Sequence, residues 1–497
     1  VVIVGYGTQK KANLTGAVAQ VGGEELDNRP VVNATQALQG LVPGLNITQS
    51  GAMGGSLDNR PSINVRGRGT IGAGSNDSPL ILIDGAEGDI NSVNPRDIEN
   101  ISVLKDAAAS SIYGSRAPFG VILITTKKGR AGKTTVNINS NTRISQPVLV
   151  PNIADSYSFA TFFNDSFLNA GQTPFFTDER MQRIRDFMDG RITTTIPTRA
   201  GNPNIWADGY DQGNDNVDWY DAIFRPSVIA QEQAVSISGG KEGLTYYLSG
   251  SYTDQPGFMR FGGDQYKRYN TSLRINADLF KWLSITYTNR FIREDYERPS
   301  NMTDGAFGDL TRQGWPMLPL YDPNGYLYDS PSPALPLRDG GKDNKVEDTF
   351  TQQLNLAFKL NSDWNVNWDL TYKTTNQFHH WDLQYTYNHD VAGNPYIADS
   401  RSEVHEDAWK TDYFNSNIYT DYTKSFGKHN FKFLIGMQAE SNDNRSFGAT
   451  RQGIIVPEVS VIDATSGTDY YGALVPPSVY GNYADWAING YFGRINY

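Results

Sequence analysis

The sequence predicts a large antiparallel membrane β-barrel preceded by a small mixed α/β domain. From about residue 133 onward, apolar and polar side chains alternate in segments of about ten residues, the length of a tilted membrane-spanning strand. Short turns and very long polar loops join these segments in alternation, as in outer-membrane barrels. The apolar faces end in aromatic residues, which is typical of an interfacial girdle.

The composition fits such a barrel and excludes several other classes. The chain has 497 residues, 28 Tyr and no Cys, and its formal net charge is -11. The missing cysteines exclude disulfides and cysteine-based metal or redox sites. The acidic balance, without a basic stripe, argues against nucleic acid as a partner. The mean hydropathy of -0.49 does not argue against a barrel, which hides its apolar face in alternate residues.

The first 130 residues or so contain short, mixed elements. The stretch ATQALQGLVPGLNI (34–47) predicts a short helix and then a strand, and GVILITTKKG (120–129) predicts another strand. In KDAAASSIYG (105–114), an Ala-rich helix is expected to end at Gly114. PLILIDG (79–85) predicts a buried strand that ends in a tight turn. We expect Asp84 to hold this turn rather than to act in catalysis.

The rest of the chain alternates with period two. In LNLAFKL (354–360) and WNVNWDLTY (364–372), every second residue is apolar. A soluble sandwich alternates as well, but the strand length and the aromatic ends favour a membrane barrel. Long extracellular loops are predicted at three places: 147–227, 293–347 and 441–484.

The strand count predicts an incomplete barrel. We find roughly ten or eleven strands, and the last segment stops inside a strand. A lumen wide enough to hold the N-terminal domain implies about 22 strands. We therefore expect this chain to be about the first half of a longer protein.

Several motifs resemble one family of membrane proteins. The stretches VVIVGYGTQKKANLTGAV, ALQGLVPGLNI, SINVRGRGT, PLILIDG and VNPRDIENISVLKDAAASSIYGSRAPFGVILITTKKGR closely resemble the plug of the SusC/RagA family of TonB-dependent outer-membrane transporters. DWYDAIFRPS (218–227) and GYFGRINY extend the resemblance into the barrel. It implies a TonB-box-like segment at 1–7, a plug at 8–130 inside the lumen and the first half of the barrel at 131–497. PLILIDG would then be a central strand of a four-stranded plug sheet.

The resemblance also implies a function and partners. It implies active import of oligosaccharides across the outer membrane of a Gram-negative bacterium, with oligopeptides as the alternative substrate. A siderophore or cobalamin receptor and a non-transporting adhesin fit less well, and no enzyme activity or cofactor is expected. The implied partners are a SusD-like surface lipoprotein, periplasmic TonB with its ExbB/ExbD energising complex, and outer-membrane lipid. Transporter–lipoprotein pairs would form a dimer.

Two sets of residues are predicted to act in gating. An extended apolar segment before a plug resembles the TonB box, which pairs with TonB by strand addition. This segment comprises Val1, Val2, Ile3 and Val4, although an ordinary plug strand is the alternative. Buried guanidinium groups need carboxylate partners and could hold the plug to the barrel wall. The candidates for this lock are Arg66, Arg68 and Arg116, with solvated arginines as the alternative.

A third set is predicted to contact substrate. Glu87 and Asp89 follow the turn after PLILIDG, on loops that face substrate or solvent. Aromatic side chains in or beside the presumed loops could stack on sugar rings, although barrels also carry aromatics as girdles and loop cores. These candidates are Trp315, Tyr321, Tyr326, Tyr328, Trp381 and Tyr385.

Other motifs fail on spacing. GRGTIG (67–72) follows a strand but does not open a helix, as dinucleotide binding would require. The acidic stretch DGYDQGNDNVDWYD (208–221) fails the spacing of a calcium loop, because it has no closing Glu and, counted from Asp211, Asn216 stands at position six where such a loop has glycine. A structural calcium ion there stays an alternative because hard oxygen ligands are plentiful. We predict no catalytic residue and no metal site.

Overall fold

The computed structural model describes most of the chain and places an N-terminal domain against one face of a large sheet. The residues described are 2–3, 8–9, 18–27, 29, 34–48, 57, 61–67, 69–70, 77–106, 111–148, 150–329 and 332–497. Among these residues, no helix is both long and apolar enough to cross a bilayer.

The N-terminal domain is built from short strands and helices. Its strands are β1 (Val2–Ile3), β2 (Thr8–Gln9), β3 (Val18–Gly22), β4 (Leu45–Thr48), β5 (Ser62–Val65), β6 (Leu80–Ile83), β7 (Ala86–Glu87), β8 (Ile98–Leu104) and β9 (Val121–Thr126). Its helices are α1 (Gly23–Asp27) and α2 (Ala34–Leu38), with 3-10 turns at Ile90–Ser92, Pro95–Asp97 and Ser111–Arg116. The predicted Ala-rich helix falls partly on residues 107–110, which lie outside the described residues.

A five-stranded sheet in the order β3-β8-β9-β6-β7 forms the centre of this domain. Only β6 and β9 run parallel, and both faces of the sheet are buried. The predicted four-stranded sheet with PLILIDG at its centre is therefore wrong. The equally apolar β9 takes the central place, and β6 lies between it and the edge strand β7.

Ten long strands form the second sheet. They are β10 (Gly132–Ser145), β13 (Val228–Lys241), β14 (Leu244–Pro256), β15 (Gln265–Phe280), β16 (Leu283–Pro299), β17 (Lys342–Lys359), β18 (Trp364–Leu383), β21 (Glu403–Phe426), β22 (His429–Gln452) and β23 (Ser478–Asn496). Neighbours in this order pair antiparallel throughout. Two small hairpins complete the strands: β11 (Thr198–Arg199) with β12 (Asn202–Trp206), and β19 (Thr386–His389) with β20 (Pro395–Asp399).

The two faces of the ten-stranded sheet differ in chemistry. The outer face exposes apolar side chains, among them Ile138 (78% exposed) and Ile435 (66% exposed). The inner face carries the N-terminal domain and buries polar residues such as Ser272, Thr288 and Asn415. Side chains alternate between the two faces along a strand, so this sheet explains the period-two pattern in the sequence. We call the ten-stranded sheet the wall.

The loop predicted at 293–347 is too long. Strands β16 and β17 continue past these limits, and only residues 300–341 connect them. The prediction ended the strands where charged residues replace apolar ones. The charged residues instead lie within the paired strands. Arg293 is the pairing partner of Asp348, and its guanidinium donates hydrogen bonds of 2.7 and 2.6 Å to the Asp348 carboxylate.

The other loop limits need smaller changes. The loop predicted at 441–484 spans residues 453–477, because β22 and β23 keep pairing through polar positions such as Ser446 and Asn482. The first loop, predicted at 147–227, begins at residue 146. Residues 384–402 form a further connection on the same side, with the β19–β20 hairpin inside it.

The long loops fold into compact structures. Their helices are α3 (Ser156–Asn169), α4 (Asp178–Met188), α5 (Trp219–Ile223), α6 (Asp304–Gln313) and α7 (Ala334–Asp339). Trp219, Phe176 and Tyr328 are fully buried in the loop cores. The loops therefore have apolar cores of their own.

Candidate functional site

The contact surface between the N-terminal domain and the inner face carries a set of buried charges, among them Asp97, Arg268 and Arg290. Its centre is Asp84, in the two-residue hairpin between β6 and β7. Asp84 and Gly85 have φ angles of 49° and 92°, both positive. Asp-Gly pairs favour such hairpins because the type I′ turn requires positive φ at both positions. As expected, Asp84 forms the turn.

The Asp84 carboxylate also joins the two domains. Within its own domain it accepts hydrogen bonds from the backbone N–H (2.9 Å) and the hydroxyl (2.7 Å) of Thr126. From the inner face, Arg290 of β16 approaches to 2.8 Å and Arg274 of β15 to 3.3 Å. Arg290 in turn donates to Gln353 of β17 at 3.1 Å. One plug-side carboxylate is thus bonded to two wall arginines.

Burial and these partners act on the Asp84 carboxyl in opposite directions. Burial alone would raise its pKa, because the charged form loses hydration. The guanidinium groups of Arg274 and Arg290 and the hydrogen bonds from Thr126 outweigh burial, so the pKa of Asp84 lies below its usual value. Asp84 is therefore ionised at neutral pH and its charge is matched.

A second group of contacts involves the 3-10 turn at Pro95–Asp97. Arg96 lies 3.4 Å from the Glu232 carboxylate of β13, which Arg143 of β10 also approaches at 3.5 Å. Asp97 accepts a hydrogen bond from the Tyr247 hydroxyl at 2.8 Å. Burial raises the pKa of Asp97, although Tyr247, Ser249 and nearby cations partly oppose this.

Two further contacts hold the same turn region to the wall. Asn94 donates to Ser251 of β14 at 2.7 Å. The fully buried Arg268 of β15 donates to the Asn91 carbonyl at 3.2 Å. Polar side chains of several neighbouring strands therefore bind one face of the domain.

Arg116 forms the third group of contacts. Its guanidinium pairs with Glu440 of β22 and with Glu87 of its own domain. Glu440 also accepts a hydrogen bond from Asn415 of β21 at 2.8 Å. The sequence prediction of Arg116 as a link to the wall agrees with this geometry, and its role as a lock stays a prediction.

Of the other predicted lock residues, Arg66 is not brought to the wall. Arg66 is exposed in a turn with φ of 60°, and within the described part of the chain it forms no ion pair. Arg68 lies outside the described residues. Besides Arg116, the ion pairs between this domain and the wall are centred on Asp84 and Arg96.

The predicted TonB-box segment is only partly described. Val1 and Val4 lie outside the described residues. Val2 and Ile3 form β1, which pairs antiparallel with β2. A role in strand addition stays a prediction.

The two acidic substrate candidates are engaged within the protein. Besides its ion pair with Arg116, Glu87 accepts a hydrogen bond on its backbone carbonyl from Lys373 of β18 at 3.4 Å. The Asp89 carboxylate caps a 3-10 turn by accepting the Asn91 N–H at 2.8 Å. Both residues help to shape the contact surface, and contact with substrate stays a prediction.

Two of the aromatic candidates belong to loop cores. Tyr328 is 1% exposed and donates its hydroxyl hydrogen to the Ala207 carbonyl at 2.9 Å, so the prediction that it contacts substrate is wrong. Trp315 packs among the phenyl rings of Phe159 and Phe163, with ring centroids 5.2 and 4.8 Å away. Apolar burial within long loops explains both positions.

The remaining aromatic candidates are accessible but scattered. Tyr321 is 44% exposed, and Tyr326 is 43% exposed and stacks on His389. Tyr385 contacts Tyr470 edge-on, with ring centroids 5.5 Å apart. Trp381 lies on the inner face of β18. The structure does not bring these four side chains together.

The acidic stretch at 208–221 makes local contacts. Asp208 pairs with Arg199, and Asp211 lies 3.0 Å from Arg180. Asp218 caps α5 by accepting the Tyr220 N–H at 3.0 Å. Across the described residues, no group of three or more His, Asp or Glu side chains has metal-binding geometry. A calcium ion at this stretch stays an untested alternative.

Comparisons with known proteins agree with this arrangement. Residues 10–121 match the family model for the TonB-dependent receptor plug domain. SusC of Bacteroides thetaiotaomicron is 28% identical over 488 residues, which cover 95% of this chain and 38% of SusC. The chain is SusC/RagA-like. The N-terminal domain is thus a plug, and the ten-stranded sheet is similar to part of the barrel of these receptors.

Two further comparisons extend over the whole chain. TonB-dependent receptor P3 of Formosa agariphila is 26% identical over 511 residues, covering 100% of this chain and 45% of that protein. A structure of the RagAB peptide importer in the open-open state superposes with a TM-score of 0.79 at 23% identity, covering 100% of this chain and 54% of that chain. The chain spans about half the length of the relatives it matches.

Sequence reasoning missed most of the plug–barrel contacts. Asp84 was assigned to a turn, and its wall partners Arg274 and Arg290 were not identified. Each pair is separated by well over a hundred residues along the chain. The available signal was the presence of arginines at inward-facing positions of predicted strands, where a charge needs a partner.

Proposed function

We propose that the protein containing this chain is an active importer of oligosaccharides in the outer membrane of a Gram-negative bacterium. The observation that carries this proposal is the plug held to the inner face by ion pairs at Asp84, Arg96 and Arg116. A permanent stopper needs no charged contacts, because a buried ion pair is seldom more stable than apolar packing. Charged contacts can instead be exchanged for water when force is applied.

In this proposal, energy reaches the plug through its N-terminus. Periplasmic TonB, driven by ExbB and ExbD, adds a strand to the segment Val1–Val4 and pulls. The pull hydrates the ion pairs, loosens the plug and opens a path along the inner face. A SusD-like lipoprotein covers the loop side, and two such pairs associate. The process involves binding and mechanical gating without a covalent step.

Oligosaccharides are the preferred substrate and oligopeptides the alternative. The accessible ring faces of Tyr321 and Tyr326, together with polar loops, suit sugars, which stack on aromatic rings and donate hydroxyl hydrogens. The fold shared with the RagAB peptide importer favours peptides as the second class. Calorimetric titration of the full-length protein with both classes decides between them. Saturable heat from peptides alone would overturn the sugar assignment and leave the transport mechanism intact.

Uptake in cells tests the mechanism. Cells that produce the full-length protein should accumulate a labelled substrate identified by the titration, and deletion of residues 1–7 should abolish accumulation while binding persists. The matched control is Lys10→Ala with Lys11→Ala, which changes neighbouring residues outside the segment. Accumulation that survives the deletion would contradict TonB-driven import, and binding without any accumulation would favour an adhesin.

A further inference from the structure

An aromatic cluster lies on the inner face of the wall, towards its loop end. Lys373 of β18 contacts the plug, so Trp381, an even number of residues further along β18, lies on the same face. Strand pairing places His405 of β21 opposite Trp381, and Tyr480 of β23 lies opposite Gly448 in the next inner row. Trp381 was among the aromatic residues that the sequence predicts to contact substrate, whereas His405 and Tyr480 were not.

The three rings are nearly parallel. The Trp381 and His405 rings have centroids 5.0 Å apart and planes 18° apart. The His405 and Tyr480 rings have centroids 6.4 Å apart and planes 16° apart. Tyr480 is 49% exposed, and Trp381 and His405 are half-buried. Together they form an accessible aromatic surface across four neighbouring strands, which we call the ring platform.

Gly448 makes room for the ring platform. It lies on β22, between Asp407 of β21 and Tyr480 of β23. A Cβ atom at Gly448 would lie 2.5 Å from Cε1 of Tyr480 and 2.9 Å from Cβ of Asp407. The Tyr480 ring therefore covers the glycine and lies against the wall. A larger residue at this position would push the ring out of its place.

Polar groups border the ring platform, and their charges are matched. His379 faces two carboxylates, with Nε2 2.8 Å from Asp343 and Nδ1 3.1 Å from Asp407. His405 Nε2 also lies 2.9 Å from Asp407, and Arg298 pairs with Asp343 at 2.8 Å. The site thus offers hydrogen-bonding groups next to ring faces without a large excess of either charge.

We propose that the ring platform is a binding subsite for a neutral oligosaccharide, an inference that rests on the proposed import function. The apolar C–H face of a pyranose ring is slightly positive and packs on the negative face of an aromatic ring. Hydroxyl groups at the sugar's edge hydrogen-bond to the Asp407 carboxylate and to Thr450, whose hydroxyl lies 2.6 Å from Nδ1 of His405. A strongly charged ligand would lack a counter-charge here, which favours neutral sugars.

Aromatic substitutions test the subsite directly. We would apply the full-length protein, and its Trp381→Ala and Tyr480→Ala variants, to an array of neutral and anionic oligosaccharides and short peptides. Loss of one stacked ring should raise Kd for neutral sugars about tenfold. The matched control is Tyr483→Ala. Tyr483 lies on β23, as Tyr480 does, but on the outer face, where it is 62% exposed. Its Kd should stay that of the wild type.

Gly448→Ala provides a second test that removes no ring. It should weaken binding of neutral sugars to a similar extent because it displaces Tyr480. The thermal unfolding midpoint of each variant shows whether the wall is intact.

The proposal is overturned if the wild type binds no neutral sugar on the array. It is also overturned if folded Tyr480→Ala and Gly448→Ala variants bind as the wild type does. TonB-dependent uptake with no neutral-sugar binding would reject the subsite and leave the transport function standing. Binding of neutral sugars that depends on the ring platform, in a protein without TonB-dependent uptake, would support the subsite and reject the transport function.

Discussion

At Asp84, one side chain meets two structural requirements. Its place before Gly85 suits a hairpin with positive φ at both positions. Its carboxylate pairs with both Arg274 and Arg290 on the inner face, which would otherwise lack this negative partner. A residue with the right turn preference but no charge would satisfy only the first requirement. Asp84 therefore couples the shape of the plug to its attachment.

We predict that Asp84→Asn loosens the plug without unfolding the wall. The substitution keeps the shape of the side chain but leaves two arginines without their carboxylate, at a cost of about 3 kcal/mol. Hydrogen exchange at Leu80–Ile83 should rise, while exchange in β21 and β22 should not change. Asp348→Asn is the control, because its pair with Arg293 is partly exposed and contributes about 1 kcal/mol or less.

The attachment of the plug through Asp84 should weaken as the pH falls. Because the pKa of Asp84 is lower in the folded protein, its contribution to stability is fully present above the ordinary Asp value of about 4. It is lost as the pH falls through the folded-state pKa. The wild-type plug should thus loosen in acid, and Asp84→Asn should lack this step. An identical acid response in both proteins would contradict the assigned role.

Single residues also mark the limit of sequence prediction. The turn at Asp84 could be predicted because Asp-Gly after a buried strand is a local signal. Its partners could not, since Arg290 is 206 residues away and nothing local specifies the pairing. Arg116 could be proposed as a wall contact because it lies in a recognisable plug motif, but its partner Glu440 could not.

At the scale of elements, alternation predicted strands well and their ends poorly. Leu354, Leu356 and Phe358 identify β17 because lipid-facing positions must be apolar. Past the apolar band both faces meet water, so alternation stops although backbone pairing continues, as at Arg293 and Asp348. The loops were assigned as polar connections, and their cores around Trp219 and Tyr328 were not predicted because their apolar residues are dispersed along the sequence.

The loop between β16 and β17 should be more stable at mildly acidic pH. Burial raises the pKa of Asp329 to about 6, and Asp399 nearby adds to this while Arg401 opposes it. Asp329 and Asn388 exchange hydrogen bonds through the Asp329 backbone, at 2.9 and 3.0 Å, so this position joins two loops. Because the folded-state pKa is raised, stability is lost as the pH rises from about 4 to about 6.

Hydrogen exchange in residues 300–341 measures this effect. In the wild type, protection should be greater at pH 5 than at pH 8, after correction for intrinsic exchange rates. Asp329→Asn should remove the difference, because an amide does not titrate in this range. Glu458→Gln changes an exposed carboxylate in another loop and should leave the difference unchanged. Equal protection at both pH values in the wild type would refute the prediction.

At the scale of the whole molecule, the plug is attached around the wall rather than at one point. Contacts reach β13 and β14 through the Pro95–Asp97 turn, β15 and β16 through Asp84, and β22 through Arg116. Freeing one group leaves the others to hold the plug. The attachment therefore resists thermal displacement, and a directed pull can break the contacts one after another.

A reversible crosslink tests whether the plug must move for import. This chain contains no cysteine, and Asn94 of the plug lies against Ser251 of the wall, with side-chain atoms 2.7 Å apart. In a cysteine-free version of the full-length protein, Asn94→Cys with Ser251→Cys should block uptake of the transported substrate when a short bis-methanethiosulfonate reagent joins the two thiols by disulfide bonds and releases methanesulfinate. Uptake should return when the disulfide bonds to the reagent are reduced.

The control is the pair Thr349→Cys with Thr375→Cys. The native hydroxyls of these two residues are 3.1 Å apart on neighbouring wall strands, so the same reagent joins one wall strand to the other and leaves the plug free. Undiminished uptake through the plug–wall crosslink would mean that substrate passes without movement of this part of the plug, and the ion pairs described above would then serve stability alone.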